Sequence, residues 1–176
     1  MKNRRLSRKF FVRPTLIVAR ELLGKILVRK IGRKIMRVMI VETEAYCGPK
    51  DLASHASRGR TKRTEIMFGQ AGHAYIYLIY GMYHCLNIVT EAEGYPAAVL
   101  IRAVDAVGVN GPGKLCRFLK IDRTLNGEDL IKSNKLWVEE GIKLKPVQVG
   151  KSKRIGVNYA GPWKDKLWRF FIRNEN

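Results

Sequence analysis

The sequence predicts an α+β domain with a curved, mainly antiparallel β-sheet and few flanking helices. β-Prone runs dominate the 176 residues, and only two segments have the apolar spacing of a helix. Two pairs of neighbouring β-prone runs are joined by short turns, as in hairpins. No repeat, low-complexity segment or Pro- and Gly-rich linker divides the chain. We therefore expect residues 1–176 to form a single domain.

The first part of the chain is predicted to hold one helix and one hairpin. Residues 14–23 have apolar side chains at helical spacing, and Gly24 stands where a C-cap would be. Strands are predicted at 25–31 and 35–46, because both runs are rich in β-branched and other apolar residues and a turn at Gly32 separates them.

The rest of the chain is predicted to contain a long basic loop, further strands and one short helix. In chain order these are the loop at 47–70, strands at 74–79 and 84–90, a strand at 97–104, a helix at 114–119 after Gly111-Pro112-Gly113, and strands near 145–149 and 167–173.

The chain is strongly basic. It has 34 Lys and Arg residues against 15 Asp and Glu residues, a formal charge of +19. A small domain with this excess repels itself, and a polyanionic partner is the usual explanation. A ribosome-associated protein, a lysine-rich surface adapted to heat and simple solubility are the alternatives. Charge alone favours a nucleic-acid partner without identifying it.

Neither a membrane segment nor a metal site is indicated. No apolar run is long enough to span a bilayer, and no apolar signal core follows the basic N-terminus. Cys47, Cys85 and Cys116 are widely spaced, without a C-x-x-C pair. We expect buried reduced thiols, no metal or other cofactor, and a cytoplasmic protein, nuclear if the source has a nucleus.

Two carboxylates stand at the end of the predicted strand 35–46. Strand alternation would put six residues on one face, namely Met36, Val38, Ile40, Glu42, Glu44 and Tyr46. A strand face whose side chains change from apolar to acidic toward one end is typical of the rim of a cleft. For Glu42, an ion pair with a nearby arginine is the favoured interpretation. For Glu44, the local pattern leaves an ion pair and catalysis equally open.

The second predicted hairpin has an unusual aromatic tip. Alternation places Tyr75 and Tyr77 on one face, where aromatic rings can stack on nucleobases. In the connection 80–83, only Gly81 is an ordinary turn residue. The exposed Tyr and Met side chains suit a wedge that enters between base pairs, and packing beneath another loop is the alternative.

Several motifs follow one another along the chain. They are VETEAYCGP at 41–49 with Asp51 and His55, YIYLIYGMY at 75–83 with Cys85 and Asn87, LIRA at 100–103, GPGKLC at 111–116, and RIGV at 154–157 with Ala160-Gly161. This ordered set resembles the alkyladenine (3-methyladenine) DNA glycosylase family over nearly the whole chain. A single block would be a weak signal, but the ordered set is highly specific.

The resemblance implies a monofunctional DNA glycosylase that flips a damaged purine out of duplex DNA and hydrolyses its N-glycosidic bond. Glu44 corresponds to the general base that holds the nucleophilic water. Arg102 corresponds to an arginine close to that water and to the backbone of the flipped nucleotide. Val157 lies in the segment whose backbone also contacts the water.

Other positions correspond to residues that bind the flipped base or the duplex. Tyr46 and Tyr77 match the aromatic residues that sandwich the base, and His55 matches a histidine stacked or hydrogen-bonded against it. Asn87 matches the asparagine that rejects guanine. Tyr80 matches the residue that fills the gap left in the duplex, and we expect Met82 beside it to share that intercalating role.

The implied chemistry needs only one carboxylate. A purine alkylated at N3 or N7 is already cationic, so a single carboxylate can orient the water and stabilise the oxocarbenium-like sugar. Electron-rich rings at Tyr46 and Tyr77 would also favour a cationic base. Two other classes stay open. One is a bifunctional glycosylase–lyase with a lysine Schiff base, and the other is a non-catalytic nucleic-acid-binding module in which Glu44 has no role.

The resemblance also implies a partner and a location. Double-stranded DNA containing 3-methyladenine, 7-methylguanine, hypoxanthine or ethenoadenine would be bound by a monomer at the nucleoid. Two segments depart from the family pattern. Thr64 stands where Asn is expected, so a phosphate or loop contact would differ, and the stretch 91–96 varies in length within the family.

Overall fold

The computed structural model describes residues 4–173, which contain eight strands and three α-helices. The strands are β1 (Ile26–Ile31), β2 (Lys34–Tyr46), β3 (Ala74–Ile79), β4 (Tyr83–Val89), β5 (Ala98–Val104), β6 (Leu136–Glu139), β7 (Val149–Ser152) and β8 (Arg169–Ile172). The helices are α1 (Arg8–Phe11), α2 (Thr15–Glu21) and α3 (Pro112–Phe118). None of these helices is long and apolar enough to cross a membrane.

Strand β2 is the centre of the sheet. The strands pair in the order β3-β4-β5-β2-β1-β6, with β8 also beside β2 and β7 beside β8. The first half of β2 pairs with β1, and its second half lies between β5 and β8. Each of these pairings is antiparallel. The predicted α+β fold with a curved antiparallel sheet and few helices is therefore confirmed.

Most predicted elements are present with small differences at their ends. The strands predicted at 25–31, 35–46, 74–79, 84–90, 97–104 and 167–173 correspond to β1 to β5 and β8. The helix predicted at 14–23 is shorter, because Pro14 is the N-cap residue of α2 and the chain turns at Gly24, whose φ is 81°.

Other predictions need correction. The strand predicted at 145–149 begins only at Val149, because Pro146 has no N–H for a β-ladder and starts a 3₁₀ turn, Pro146–Gln148. Helix α3 begins at Pro112 instead of 114, since proline suits the first turn of a helix. The loop 47–70 contains two 3₁₀ helices, His55–Arg58 and Glu65–Phe68. The elements α1 and β6 were not predicted.

Strand β2 changes face near its centre, so the single face predicted for its six alternate residues is wrong. Ile40 belongs to the main core, with Met36 and Val38 packed against it, but Ala45 also belongs to it, and strict alternation would place Ala45 on the other face. The pairing of β2 with β5 is irregular between Ile40 and Thr43. A bulge of this kind re-aims the side chains that follow, and Glu44 consequently faces away from the core.

Helix α2 closes the core side of the sheet behind this bulge. The Oγ1 atom of Thr43 donates to the carbonyl oxygen of Ala19 at 2.8 Å in a buried contact. At the start of α2, Oε1 of Glu91 accepts the backbone N–H of Thr15 at 2.9 Å and replaces an N-cap side chain. Thr43 thus faces α2, and the neighbouring carboxylate of Glu44 lies on the opposite face of the sheet.

Candidate active site

The face of the sheet opposite the core contains a pocket of about 390 Å³. Strands β2 to β5 contribute to it, together with residues from the loops after β2 and β7. Eight of the predicted site residues line this pocket: Glu44, Tyr46, His55, Tyr77, Tyr80, Asn87, Arg102 and Val157. Met82 does not, and it borders a separate depression beside α3.

Glu44 has no solvent exposure, and both of its carboxylate oxygens accept hydrogen bonds. Oε1 accepts the backbone N–H of Ile155 at 2.9 Å, and Oε2 accepts the hydroxyl of Tyr46 at 2.8 Å. The Nε atom of Arg102 lies 3.7 Å from Oε1. Donors on both oxygens fix the orientation of the carboxylate relative to the pocket.

The groups around Glu44 have opposing effects on its pKa. Burial raises the pKa of Glu44 above its usual value and is the largest influence on it. The N–H of Ile155, the charge of Arg102, the hydroxyl of Tyr46 and the charge of Arg154 act in the opposite direction. A desolvated carboxylate held in this way is a better proton acceptor than one in water.

Glu42 is the centre of an ion-pair network at the pocket edge, which confirms the interpretation favoured from the sequence. Its Oε1 accepts Nε of Arg102 at 2.9 Å and Nη1 of Arg169 at 2.6 Å. Arg102 is thus bound mainly to Glu42 and lies farther from Glu44. The formal charges of Glu42 and Glu44 cancel those of Arg102 and Arg169. This part of a strongly basic chain is therefore close to neutral.

His55 and two tyrosines form one wall of the pocket. The ring of His55 meets the ring of Tyr77 edge-on at a centroid distance of 4.5 Å. Its Nδ1 lies 3.0 Å from the hydroxyl oxygen of Tyr75. Burial, followed by the charges of Arg63 and Arg58, lowers the pKa of His55 to about 4. The ring is therefore uncharged near neutral pH.

Arg63 is a pocket residue that sequence reasoning did not identify. Its guanidinium lies 5.3 Å from the centroid of the Tyr77 ring. Its charge and hydrogen bonding also oppose the burial that raises the pKa of Tyr75. The basic run at 58–63 showed that several cations are close together, but not which of them reaches the pocket.

Asn87 is held firmly in the pocket wall. It is only 3% exposed, and its Nδ2 donates to the carbonyl oxygens of Tyr75 at 3.2 Å and Cys85 at 3.5 Å. The amide nitrogen therefore donates to backbone carbonyl groups. The Oδ1 atom is the polar group left for a bound molecule.

Strands β3 and β4 form the predicted hairpin, and its tip is exposed. Tyr80 is 88% exposed and Met82 is 66% exposed, so neither side chain is packed beneath another loop. Tyr80 and Gly81 have φ values of 51° and 66°, and the N–H of Met82 donates to the carbonyl oxygen of Ile79 at 3.0 Å. A tight turn with positive φ at both central residues fixes the direction in which Tyr80 projects.

Two further predicted positions have mainly structural surroundings. Val157 is buried and packs with Ala53 and Ala160, and Ile155 in the same segment supplies the backbone N–H that donates to Glu44. Thr64 is also buried, and its Oγ1 donates to the carbonyl oxygen of Gly59 at 3.0 Å. Thr64 therefore stabilises the loop in which it lies.

The described residues offer no metal centre and no reactive thiol. Residues 4–173 hold no group of three or more His, Cys, Asp or Glu side chains placed to bind a metal ion. All three cysteines are free, with Cys85 and Cys116 buried and Cys47 half-buried. Burial raises the pKa of Cys85 to about 11 and those of Cys47 and Cys116 to about 12. They are therefore protonated thiols at neutral pH.

Known proteins match this chain over nearly its whole length. The family model described as "Methylpurine-DNA glycosylase (MPG)" matches residues 9–176. A protein of Methanocella arvoryzae is 50% identical over 187 residues, which cover 96% of this chain and 92% of the relative. Proteins of Legionella pneumophila (strain Lens) and Anaeromyxobacter sp. are 48% and 51% identical and cover 97% and 96% of this chain, and 96% and 89% of the relatives. All three are named "Putative 3-methyladenine DNA glycosylase".

These matches, which extend over nearly the whole sequence, identify a DNA glycosylase. The chain belongs to the methylpurine-DNA glycosylase family. The resemblance identified from the sequence motifs is thereby confirmed.

The low pKa of His55 predicts how stability depends on pH. Between about pH 6.5 and pH 4 the unfolded chain binds a proton at this histidine and the folded chain does not. The free energy of unfolding should therefore fall as the pH decreases through this window, and His55→Gln should reduce the loss. Urea titrations at several pH values measure the effect, and imidazole NMR follows the ring directly. Protonation of His55 in the folded protein close to pH 6.5 would contradict the prediction.

Proposed function

We propose that this protein is a monofunctional glycosylase that removes alkylated and deaminated purines from double-stranded DNA with a water molecule activated by Glu44. The observation that carries the proposal is the fully buried carboxylate at the wall of an aromatic pocket, with a donor on each oxygen. The substrates are purines such as 3-methyladenine, 7-methylguanine, hypoxanthine and ethenoadenine. The product is an abasic site.

The reaction follows from the position of Glu44. The bond between C1′ and the purine nitrogen breaks, and its electron pair leaves with the base. An alkylated cationic purine leaves as a neutral molecule, whereas a neutral lesion leaves as an anion that takes a proton from water. Oxygen of the water bonds to C1′, and its proton goes to the Glu44 carboxylate. The negative charge of Glu44 also stabilises the positive charge that develops on the sugar, in a site with no bulk solvent around the carboxylate.

Aromatic stacking explains how the pocket would select damaged bases. Tyr46, Tyr77 and His55 supply rings, and the neutral His55 adds no charge. However, a guanidinium already lies over each tyrosine, Arg154 at 4.9 Å from Tyr46 and Arg63 at 5.3 Å from Tyr77. These cations reduce the attraction of the rings for a cationic base. The pocket therefore suits neutral lesions such as hypoxanthine and ethenoadenine as well as methylated purines.

The hairpin tip and the surface charge would bring the base into the pocket. Extrusion costs a few kcal/mol of stacking and pairing, and less at a damaged pair. Tyr80 borders the pocket and is almost fully exposed, so its ring can replace the flipped nucleotide, with Met82 beside it. The formal charge of +19 supplies attraction to the phosphates that does not depend on base sequence.

The competing lyase mechanism has less support from the pocket. A Schiff base with the sugar requires a lysine close to C1′. None of the described residues that line the pocket is a lysine. The buried carboxylate already provides the activated nucleophile, so a hydrolytic reaction is the better account.

Glu44→Gln should abolish excision while it preserves DNA binding. The amide keeps the shape of the side chain but cannot take a proton, so we expect a loss of about 10²- to 10⁴-fold in single-turnover rate. The assay uses duplex oligonucleotides that carry one hypoxanthine, ethenoadenine or methylated purine, cleaved at the abasic site by alkali. Glu21→Gln is a matched control, because Glu21 is exposed and paired with Arg13. Equal activity of Glu44→Gln and the native protein would show that Glu44 has no catalytic role.

Tyr80→Ala should weaken binding to duplex DNA that contains a lesion. Stacking of one aromatic ring on a base contributes about 1–3 kcal/mol, so we expect affinity to fall by a factor of about 5 to 150. Binding to single-stranded DNA should change less, because no gap has to be filled there. Tyr80→Phe keeps the ring and should bind nearly as well as the native chain. An equal loss for duplex and single strands would rule out the wedge role.

A further inference from the structure

The side chain of Arg154 is fully buried close to Glu44, and its surroundings are unusually specific. It forms a two-pronged ion pair with Asp51, Nη1 to Oδ2 at 2.6 Å and Nη2 to Oδ1 at 2.9 Å. Neither side chain has any solvent exposure. Burial of two charges is costly, and it is compensated only when the geometry of the pair is good.

The same guanidinium ties three separate segments together. Nη1 donates to the carbonyl oxygen of Ala45 at 2.9 Å, and Nη2 donates to that of Trp163 at 3.1 Å. Asp51 in turn accepts the backbone N–H groups of Cys47 and Ala53, both at 3.1 Å. The end of β2, the loop after it and the segment at 154–163 are therefore held in one relative position.

Arg154 also borders both hydrogen-bond donors of Glu44. Its guanidinium lies 4.9 Å from the centroid of Tyr46, whose hydroxyl donates to Oε2 of Glu44. The next residue in the chain is Ile155, whose N–H donates to Oε1 of Glu44. A displacement of Arg154 would thus move the donors on both oxygens at once.

One atom of the Arg154 side chain is in a position that is unfavourable for stability. Nε of Arg154 is buried and has no hydrogen-bond partner among the residues that the structure describes. An unsatisfied buried donor costs free energy, and a well-packed apolar side chain would avoid that cost. The planar fork and the stacked face of the guanidinium are the properties that a substitute would lack.

We propose that Arg154, held by Asp51, is a positioning residue that aims the Glu44 carboxylate through Tyr46 and the Ile155 amide. The proposal rests on the proposed role of Glu44 as the base. It gives Arg154 no contact with the substrate. Its effect is on the direction of the carboxylate, and a misplacement of about 1 Å in such a group can cost about a hundredfold in rate.

The test compares Arg154→Lys with the native protein. Lysine keeps the charge but loses the fork and the planar face, so the two donors of Glu44 should loosen. We expect unchanged binding of lesion-containing duplex, an unchanged fraction of active enzyme, and a single-turnover rate lower by about 10- to 100-fold. Asp51→Asn, which keeps one acceptor oxygen, should act in the same direction with a smaller effect and serves if the lysine variant does not fold.

A second readout does not depend on activity. Carboxyl NMR titration of Glu44 reports its pKa in the free protein. Tyr46, Arg102, Arg154 and the Ile155 amide all lower the pKa of Glu44 against the effect of burial. Tyr77 and Cys85 are the other titratable groups that interact with this carboxylate, and the charge of Glu44 helps to raise the pKa of each. In Arg154→Lys the contacts of Glu44 with Tyr46 and the Ile155 amide should weaken, so the pKa of Glu44 should rise. The acid limb of the pH–rate profile should then shift to higher pH.

Asp165→Asn is the matched control, because it breaks an exposed ion pair with Lys153 next to Arg154 in the sequence. It should leave the rate and the pKa of Glu44 unchanged. If Arg154→Lys lowers only the fraction of active protein, or leaves the pKa of Glu44 unchanged or lower, the positioning role is wrong. Full activity of the lysine variant would also overturn it. Absence of excision by the native protein would refute the proposed function, and the titration would still decide the role of Arg154.

Discussion

Desolvation of a single carboxylate governs the organisation of this protein. Glu44 has no solvent exposure, and removal of a charged carboxylate from water costs several kcal/mol unless nearby groups compensate. The Tyr46 hydroxyl and the Ile155 amide supply hydrogen bonds, and Arg102 supplies charge. These partners come from three distant parts of the chain. The curled sheet with β2 at its centre brings them together, and α2 packs against the other face of β2.

DNA binding and the proposed catalysis place opposite requirements on the charge of this protein. Attraction to phosphates requires a large positive charge, whereas a catalytic base requires a carboxylate that stays active beside it. The structure separates them, because Glu42 binds Arg102 and Arg169, and Asp51 binds Arg154. The arginines nearest Glu44 are thus already paired with acids. Arg63, over the ring of Tyr77, contributes a cation to the opposite wall.

The sequence predicted the strands that have clear patterns and, through the family motifs, eight of the residues that line the pocket. It did not predict β6, because all four residues of Leu136–Glu139 are buried and the strand shows no alternation. The bulge in β2 was missed for a related reason, since periodicity cannot show where a register changes. The positions of Arg63 and Arg154 depend on contacts between distant segments. Local patterns therefore revealed that many arginines are present, but not that Arg154 lies over the ring of Tyr46 and Arg63 over the ring of Tyr77.

The central claim is that a flipped purine lies between the aromatic side chains with its sugar beside Glu44. A crystal structure of the Glu44→Gln variant with duplex DNA containing ethenoadenine tests this most directly. We predict the lesion base against the rings of Tyr46, Tyr77 and His55, the Tyr80 ring within the duplex stack, and C1′ next to the side chain at position 44. An ethenoadenine that stays stacked in the duplex, or a base whose C1′ lies far from position 44, would contradict the account.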